Sequence, residues 1–198
     1  MRNKIIDIEG SILNHINQSV NTLKSIPSEL SGDINKAVKL IIQTFSNGHK
    51  LLIAGNGGSA ADAQHIAAEF VVRLSKELER PALPAIALST DSSILTASSN
   101  DNGFRTVFSR QLEALAQKGD CFLAISTSGN SENLVTAVEF AKKENIKTIG
   151  LLGNNGGTLQ SLVDIAITVR QSSTQHVQEA HICIYHIMCD LVERSMYT

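Results

Sequence analysis

Two short polar segments carry glycines and hydroxyls where a ligand could be held. Gly55, Asn56, Gly57, Gly58 and Ser59 directly follow the apolar run Leu51 to Ala54. Ser126, Thr127, Ser128, Gly129, Asn130 and Ser131 directly follow Cys121 to Ile125. Glycine lets a backbone approach a ligand closely, hydroxyls donate hydrogen bonds, and a helix opening after such a loop favours an anion at its N-terminus. Taken alone, the glycine segment reads equally well as an ordinary turn. The second segment has four hydroxyls in six residues, more than capping a helix needs, and points to phosphate or another small anion. Neither segment has the lysine of a P-loop, and Gly-Asn-Gly-Gly-Ser departs from the dinucleotide fingerprint, so nucleotide binding is disfavoured. Together they suit a ligand with a phosphate at one end and hydroxyls at the other.

A second group could do chemistry on such a ligand. His65 and Glu69 are four apart, hence on one face of a helix that starts at Ser59. That pair can share a metal or act as acid and base, although the same spacing is common on plain surface helices. Ala60, Ala61, Ala63, Ala67 and Ala68 surround it and predict close packing. The last helix adds Gln178, Glu179, His181 and His186. Around His186, the stretch Ile182 to Cys189 is apolar on nearly every face, which predicts burial in the core or between subunits. A histidine there needs a partner, either a functional one or a backbone carbonyl.

These residues need a scaffold, and hydrophobic patterning predicts one. Short apolar runs at 51–54, 85–88, 121–125, 146–152 and 165–169 read as strands. Helical stretches lie between them near 59–75, 91–98, 104–117, 131–144 and 158–163, with a last helix over about 175–195. Strands apolar almost throughout are buried on both faces, so the fold class is α/β, a doubly wound five-stranded parallel sheet flanked by helices. An extra helix precedes it, with Ile5, Ile8, Ile12, Ile16, Val20 and Leu23 forming a stripe that must pack on the chain or on another copy. Pro27 and Gly32 are expected to break it before a second helix capped by Asp33. The simplest organisation is one domain over 1–198, with 1–30 as an appendage at an oligomer interface.

Composition narrows the function classes. With 42% hydrophobic residues, 18% charged residues and a net charge of −2, the chain is neither disordered nor a basic nucleic-acid binder. Apolar runs such as Cys121 to Ile125 fall far short of the roughly 20 residues of a membrane span. The first residues mix charge among apolar positions, which predicts no signal peptide and a cytoplasmic location. Cys121, Cys183 and Cys189 have no paired spacing and read as buried free thiols.

Motif order then points to a family. Gly55 to Ser59 followed by Asp62, His65 and Glu69 resembles the first motif of the phosphoheptose isomerases, a branch of the SIS family. Asn100, Asp101, Gly103 and Phe104, with Val107, Phe108 and Ser109 after them, resemble the second. Ser126 to Ser131 resembles the family's sugar-phosphate loop, and Gln178, Glu179, His181 and Ile182 followed by His186 resemble its C-terminal motif. The resemblance spans almost the whole chain. It implies a cytoplasmic homotetramer converting sedoheptulose 7-phosphate to D-glycero-D-manno-heptose 7-phosphate through an enediol, on the way to ADP-heptose and lipopolysaccharide. Substrate contacts would come from Asn56, Gly57, Gly58, Ser59, Glu69, Asn100, Asp101, Ser126, Thr127, Ser128, Ser131 and Gln178. His65, Glu69, Gln178 and His186 would hold a zinc ion (Zn2+) in each subunit, with Glu69 and His186 as catalytic acid and base.

Two points within that set are in tension. A carboxylate held by zinc is a poor base, so Glu69 cannot be a tight ligand and the proton acceptor at one moment. Gln178 and His186 are eight residues apart, about 12 Å of rise on a regular helix, which favours a site at a subunit interface. Departures from the family pattern stand at Ser98 and Ser99, Asn102 and His176. A rival reading is a non-enzymatic SIS scaffold that binds the replication initiator DnaA; retention of both Glu69 and His186 argues against it.

Overall fold

The computed structural model describes residues 7–198 of the chain. Each apolar run becomes a strand: β1 (Leu51–Gly55), β2 (Ala85–Ala87), β3 (Cys121–Ser126), β4 (Lys147–Gly153) and β5 (Ile165–Val169). They form one all-parallel sheet in the order β2-β1-β3-β4-β5. Around it lie α1 (Ile8–Glu29), α2 (Ser31–Ser46), α3 (Gly58–Val71), α4 (Ser92–Asn102), α5 (Val107–Leu115), α6 (Glu132–Lys143), α7 (Leu159–Leu162) and α8 (Thr174–Tyr197).

Strand periodicity divides the core in two. Leu51 and Ile53 of β1, with Cys121, Leu123 and Ile125 of β3, pack under α2, α3 and α8. Leu52 and Ala54, with Phe122 and Ala124, face α5 and α6. Successive side chains point to opposite faces, so a strand covered on both sides must be apolar at every position. That holds for β1 and β3, which are buried throughout. It fails at the edges, where Ile86 of β2 is 38% exposed and β5 is only half-buried.

Several boundaries differ from expectation. Proline does not end the first helix: Pro27 lies inside α1, and α2 begins at Ser31 after Leu30 alone. Leu30 is buried in the core, so hydrophobic anchoring sets this junction. Asp33 does not cap α2; it sits in the first turn and accepts a hydrogen bond from Lys36. α3 stops at Val71 instead of 75, whereas α4 runs on through Asn100 and Asp101. The segment 104–117 splits into a 3-10 turn, Phe104–Thr106, and α5.

The stripe on α1 also finds less cover than a packed helix needs. Ile5 lies outside the described residues. Ile8, Ile12, Ile16 and Val20 are exposed, and α1 is anchored through Thr22 and Ile26 near its end. Cys121 and Cys189 are buried as expected, whereas Cys183 is half-buried; all three thiols are free. No helix among the described residues is long and apolar enough to cross a membrane.

Candidate active site

The strand order places a crevice where ligands bind in this class of fold. From β1 the chain crosses through α3 to β2 on one side; from β3 it crosses through α6 to β4 on the other. The carboxyl ends of β1 and β3 therefore diverge at a topological switch point. Both polar loops lie there.

Local backbone demands explain their composition. Gly57 has φ +56, a conformation that side chains other than glycine rarely adopt. A Cβ at Gly55 would meet the Ser59 carbonyl at 2.4 Å, so the turn into α3 closes only with glycine. Asn56 and Asn133, the latter on α6, exchange two side-chain amide hydrogen bonds of 2.9 Å each, tying one loop to the other. In the second loop, buried Ser126 Oγ accepts from the Gly129 amide at 3.0 Å and lies 3.3 Å from Ser131 Oγ. Ser131 precedes α6 without capping it through its side chain, and Thr127 and Ser128 are progressively more open. Asn130 Oδ1 accepts from the Thr158 amide and hydroxyl, each at 2.9 Å, pinning the loop to the segment after β4. The result is a rigid cup of hydroxyls and backbone amides, suited to an anion.

Farther along α3, where α8 lies against it, the reactive groups come together. His65, Glu69 and His186 each offer a ligand atom, and these lie within 4.8 Å of one another. His65 Nε2 is 2.9 Å from Glu69 Oε1, with the carboxylate 15% exposed. On the other side of the same ring, Nδ1 is 2.9 Å from the hydroxyl of buried Tyr185. The His65 and His186 rings meet edge to face with centroids 5.0 Å apart. Burial and the neighbouring His65 lower the His186 pKa, while Glu69 pulls it back up. His186 is therefore neutral near pH 7 and able to take up a proton. The backbone carbonyl of Glu69 accepts a 2.7 Å hydrogen bond from Arg80, whose guanidinium is fully buried against Glu193 of α8.

Gln178 meets α3 elsewhere. Its amide covers Gly58, where a Cβ would lie 2.4 Å from Nε2, and donates to Asp62 Oδ2 at 3.2 Å. Desolvation raises the pKa of Asp62, partly offset by this hydrogen bond and by His65. Gln178 thus faces Gly58 and Asp62 while His186 faces His65, so α3 and α8 run side by side in the same direction and keep the two residues apart. Asn100 and Asp101 stand on the exposed last turn of α4 and bond to each other at 2.8 Å. Ser59 is buried in the first turn of α3.

The SIS domain family matches residues 14–153. A phosphoheptose isomerase of Trichlorobacter lovleyi is 47% identical over 190 residues, 96% of each chain. One from Geotalea daltonii is 52% identical over 183 residues, 92% of this chain and 93% of that protein. Among solved structures, the phosphoheptose isomerase of Francisella tularensis superposes with TM-score 0.91 at 35% identity, covering 96% of this chain and 100% of that one. That of Neisseria gonorrhoeae gives 0.88 at 38%, covering 94% and 99%.

This chain belongs to the phosphoheptose isomerase family. As a member of that family of enzymes it has the SIS fold. Two groups, Tyr185 and Asn133, escaped the sequence reading. Tyr185 was hidden in an apolar stretch; only its place next to His186 marked it. Asn133 lies just beyond the hydroxyl-rich loop, and nothing in sequence pairs it with Asn56. His181 is the core histidine bonded to a backbone carbonyl, through Nε2 to Leu152 O at 3.0 Å. The alanine-rich surroundings of His65 pack only in part, since Ala63 and Ala67 are buried and Ala61 and Ala68 are exposed.

Proposed function

We propose that this isomerase interconverts sedoheptulose 7-phosphate and D-glycero-D-manno-heptose 7-phosphate in the cytoplasm, feeding ADP-heptose and lipopolysaccharide synthesis. The observation that carries the reading is the convergence of Glu69 and His186, 117 residues apart, in a chain that also carries a hydroxyl-lined cup at the sheet's switch point. The names of the relatives supply the substrate class.

In the ketose the carbonyl is at C2. A base removes a proton from C1, the electrons move to form a C1–C2 enediol, and a proton returned to C2 leaves the carbonyl at C1. Glu69 is the carbon base, and its low exposure limits competition from water. His186, neutral at pH 7, exchanges protons with the two oxygens. The phosphate rests on Ser126, Thr127, Ser128 and Ser131, and the sugar hydroxyls on Asn56, Gly57, Gly58, Ser59, Asn100, Asp101 and Gln178. The donor set at His65, Glu69 and His186 fits a zinc-class ion, since two imidazoles and a carboxylate converge and Tyr185 holds the far nitrogen of His65; Glu69 would serve as base only while released from the ion. Gln178, held against Gly58 and Asp62 within one chain, would join as a ligand only from a neighbouring subunit; bound Zn2+ would polarise the carbonyl and stabilise charge on the enediol oxygens.

The proposed protein is a homo-oligomer, a tetramer, with residues 1–30 as an appendage to a single domain over 1–198. The uncovered apolar face of α1 supports assembly, and a site at a subunit interface would complete the sugar's surroundings. Purified enzyme should convert sedoheptulose 7-phosphate, and Glu69→Gln and His186→Gln should each lower kcat by at least about 100-fold with unchanged circular dichroism. Turnover like that of the unaltered enzyme in both variants would remove these roles.

A further inference from the structure

Away from the switch-point crevice, α1 and α8 assemble a second set of metal-ligating side chains that isomerisation does not use. Glu179 lies between two imidazoles from distant parts of the chain. Its Oε1 is 2.9 Å from His15 Nε2, and its Oε2 is 3.0 Å from His176 Nδ1. Ser19 Oγ donates to Oε2 at 2.6 Å and lies 3.1 Å from the same His176 nitrogen. One ligand atom each from His15, His176 and Glu179 lie within 4.8 Å of one another. The imidazole centroids are 4.4 Å apart and the rings are tilted by 56°, so the nitrogens converge on the carboxylate and the rings do not stack flat. His176 is buried, whereas the side chains of His15 and Glu179 are 40% and 37% exposed, leaving an approach from solvent.

We propose that His15, His176 and Glu179 form a second divalent-metal site, of the zinc class, that fastens α1 to α8. Two imidazole nitrogens and one carboxylate oxygen suit Zn2+ or Co2+, with water or the Ser19 hydroxyl in the fourth position. Mg2+ and Ca2+ prefer oxygen donors throughout and are not expected to bind. The site spans 164 residues of sequence, and α1 otherwise leaves most of its apolar stripe uncovered. A metal bridge there would hold α1 in register on the helix that also carries Gln178 and His186. This site does not depend on the reading of the active site.

The test uses the untagged full-length chain carrying His65→Ala and His186→Ala, which removes the other candidate donors. Stripped of metal and dialysed against Zn2+, it should retain about one zinc per chain by mass spectrometry and melt at a higher temperature than its metal-free form. Adding His15→Gln or Glu179→Gln should weaken retention by more than about tenfold and abolish the shift. In the otherwise unaltered chain, His15→Gln should remove one zinc by difference. A correctly folded His65→Ala, His186→Ala chain that retains no zinc would overturn the proposal. So would zinc retained equally after His15→Gln and Glu179→Gln, and the cluster would then be a hydrogen-bonded clamp.

Discussion

At the residue scale, the chemistry rests on how each reactive side chain is held. His65 can present Nε2 toward Glu69 because the Tyr185 hydroxyl occupies Nδ1 at 2.9 Å. Tyr185→Phe should therefore lower kcat/KM about tenfold with little change in melting temperature, since water can reach the freed nitrogen of the half-exposed ring. Unchanged steady-state kinetics would show that the tyrosine merely fills space. The i, i+4 spacing of His65 and Glu69 was legible in sequence because a helix forces it. Their meeting with His186 was not, because it depends on how two helices far apart in the chain lie against each other. The same holds for Gln178: spacing along α8 raised the question of its reach, and only the contact with Gly58 and Asp62 shows where its amide goes.

At the element scale, buried polar groups set how α8 sits on the sheet. His181 is fully buried, its Nε2 bonded to the Leu152 carbonyl of β4, and burial lowers its pKa from 6.5 to about 4. The unfolded chain takes up a proton on this imidazole below about pH 6.5, while the folded chain resists until about pH 4. Stability from this group is thus complete above pH 6.5 and lost as pH falls from there toward 4, about 3 kcal/mol in all. Urea midpoints measured at pH 7 and pH 4.5 should fall less in His181→Leu than in the unaltered chain; an identical fall would contradict this. Elements themselves were largely legible, since a strand covered on both faces has to be apolar throughout. Their ends were less so. Pro27 fails to stop α1 and Asp33 fails to cap α2, because burial of Leu30 determines where the chain turns.

At the scale of the whole molecule, α1 is the part the single chain leaves unfinished. Ile12 and Ile16 are 60% and 53% exposed on one face. Buried apolar area of this kind drives association, and a charge placed in it opposes association without touching the core. Ile12→Glu with Ile16→Glu should sediment as a smaller species than the unaltered protein and lose activity, if neighbouring subunits complete the site. A variant that sediments like the unaltered protein would place the interface elsewhere. The stripe was visible in sequence; its partner was not, because periodicity identifies an apolar face but not what covers it. The central claim is that Glu69 and His186 act on one sugar anchored by the two polar loops. It is tested most directly by a crystal structure of Glu69→Gln with sedoheptulose 7-phosphate bound. The account predicts phosphate on Ser126 to Ser131, with C1 and C2 against residue 69 and His186. A sugar bound with its carbonyl end away from both residues, in every subunit, would contradict it.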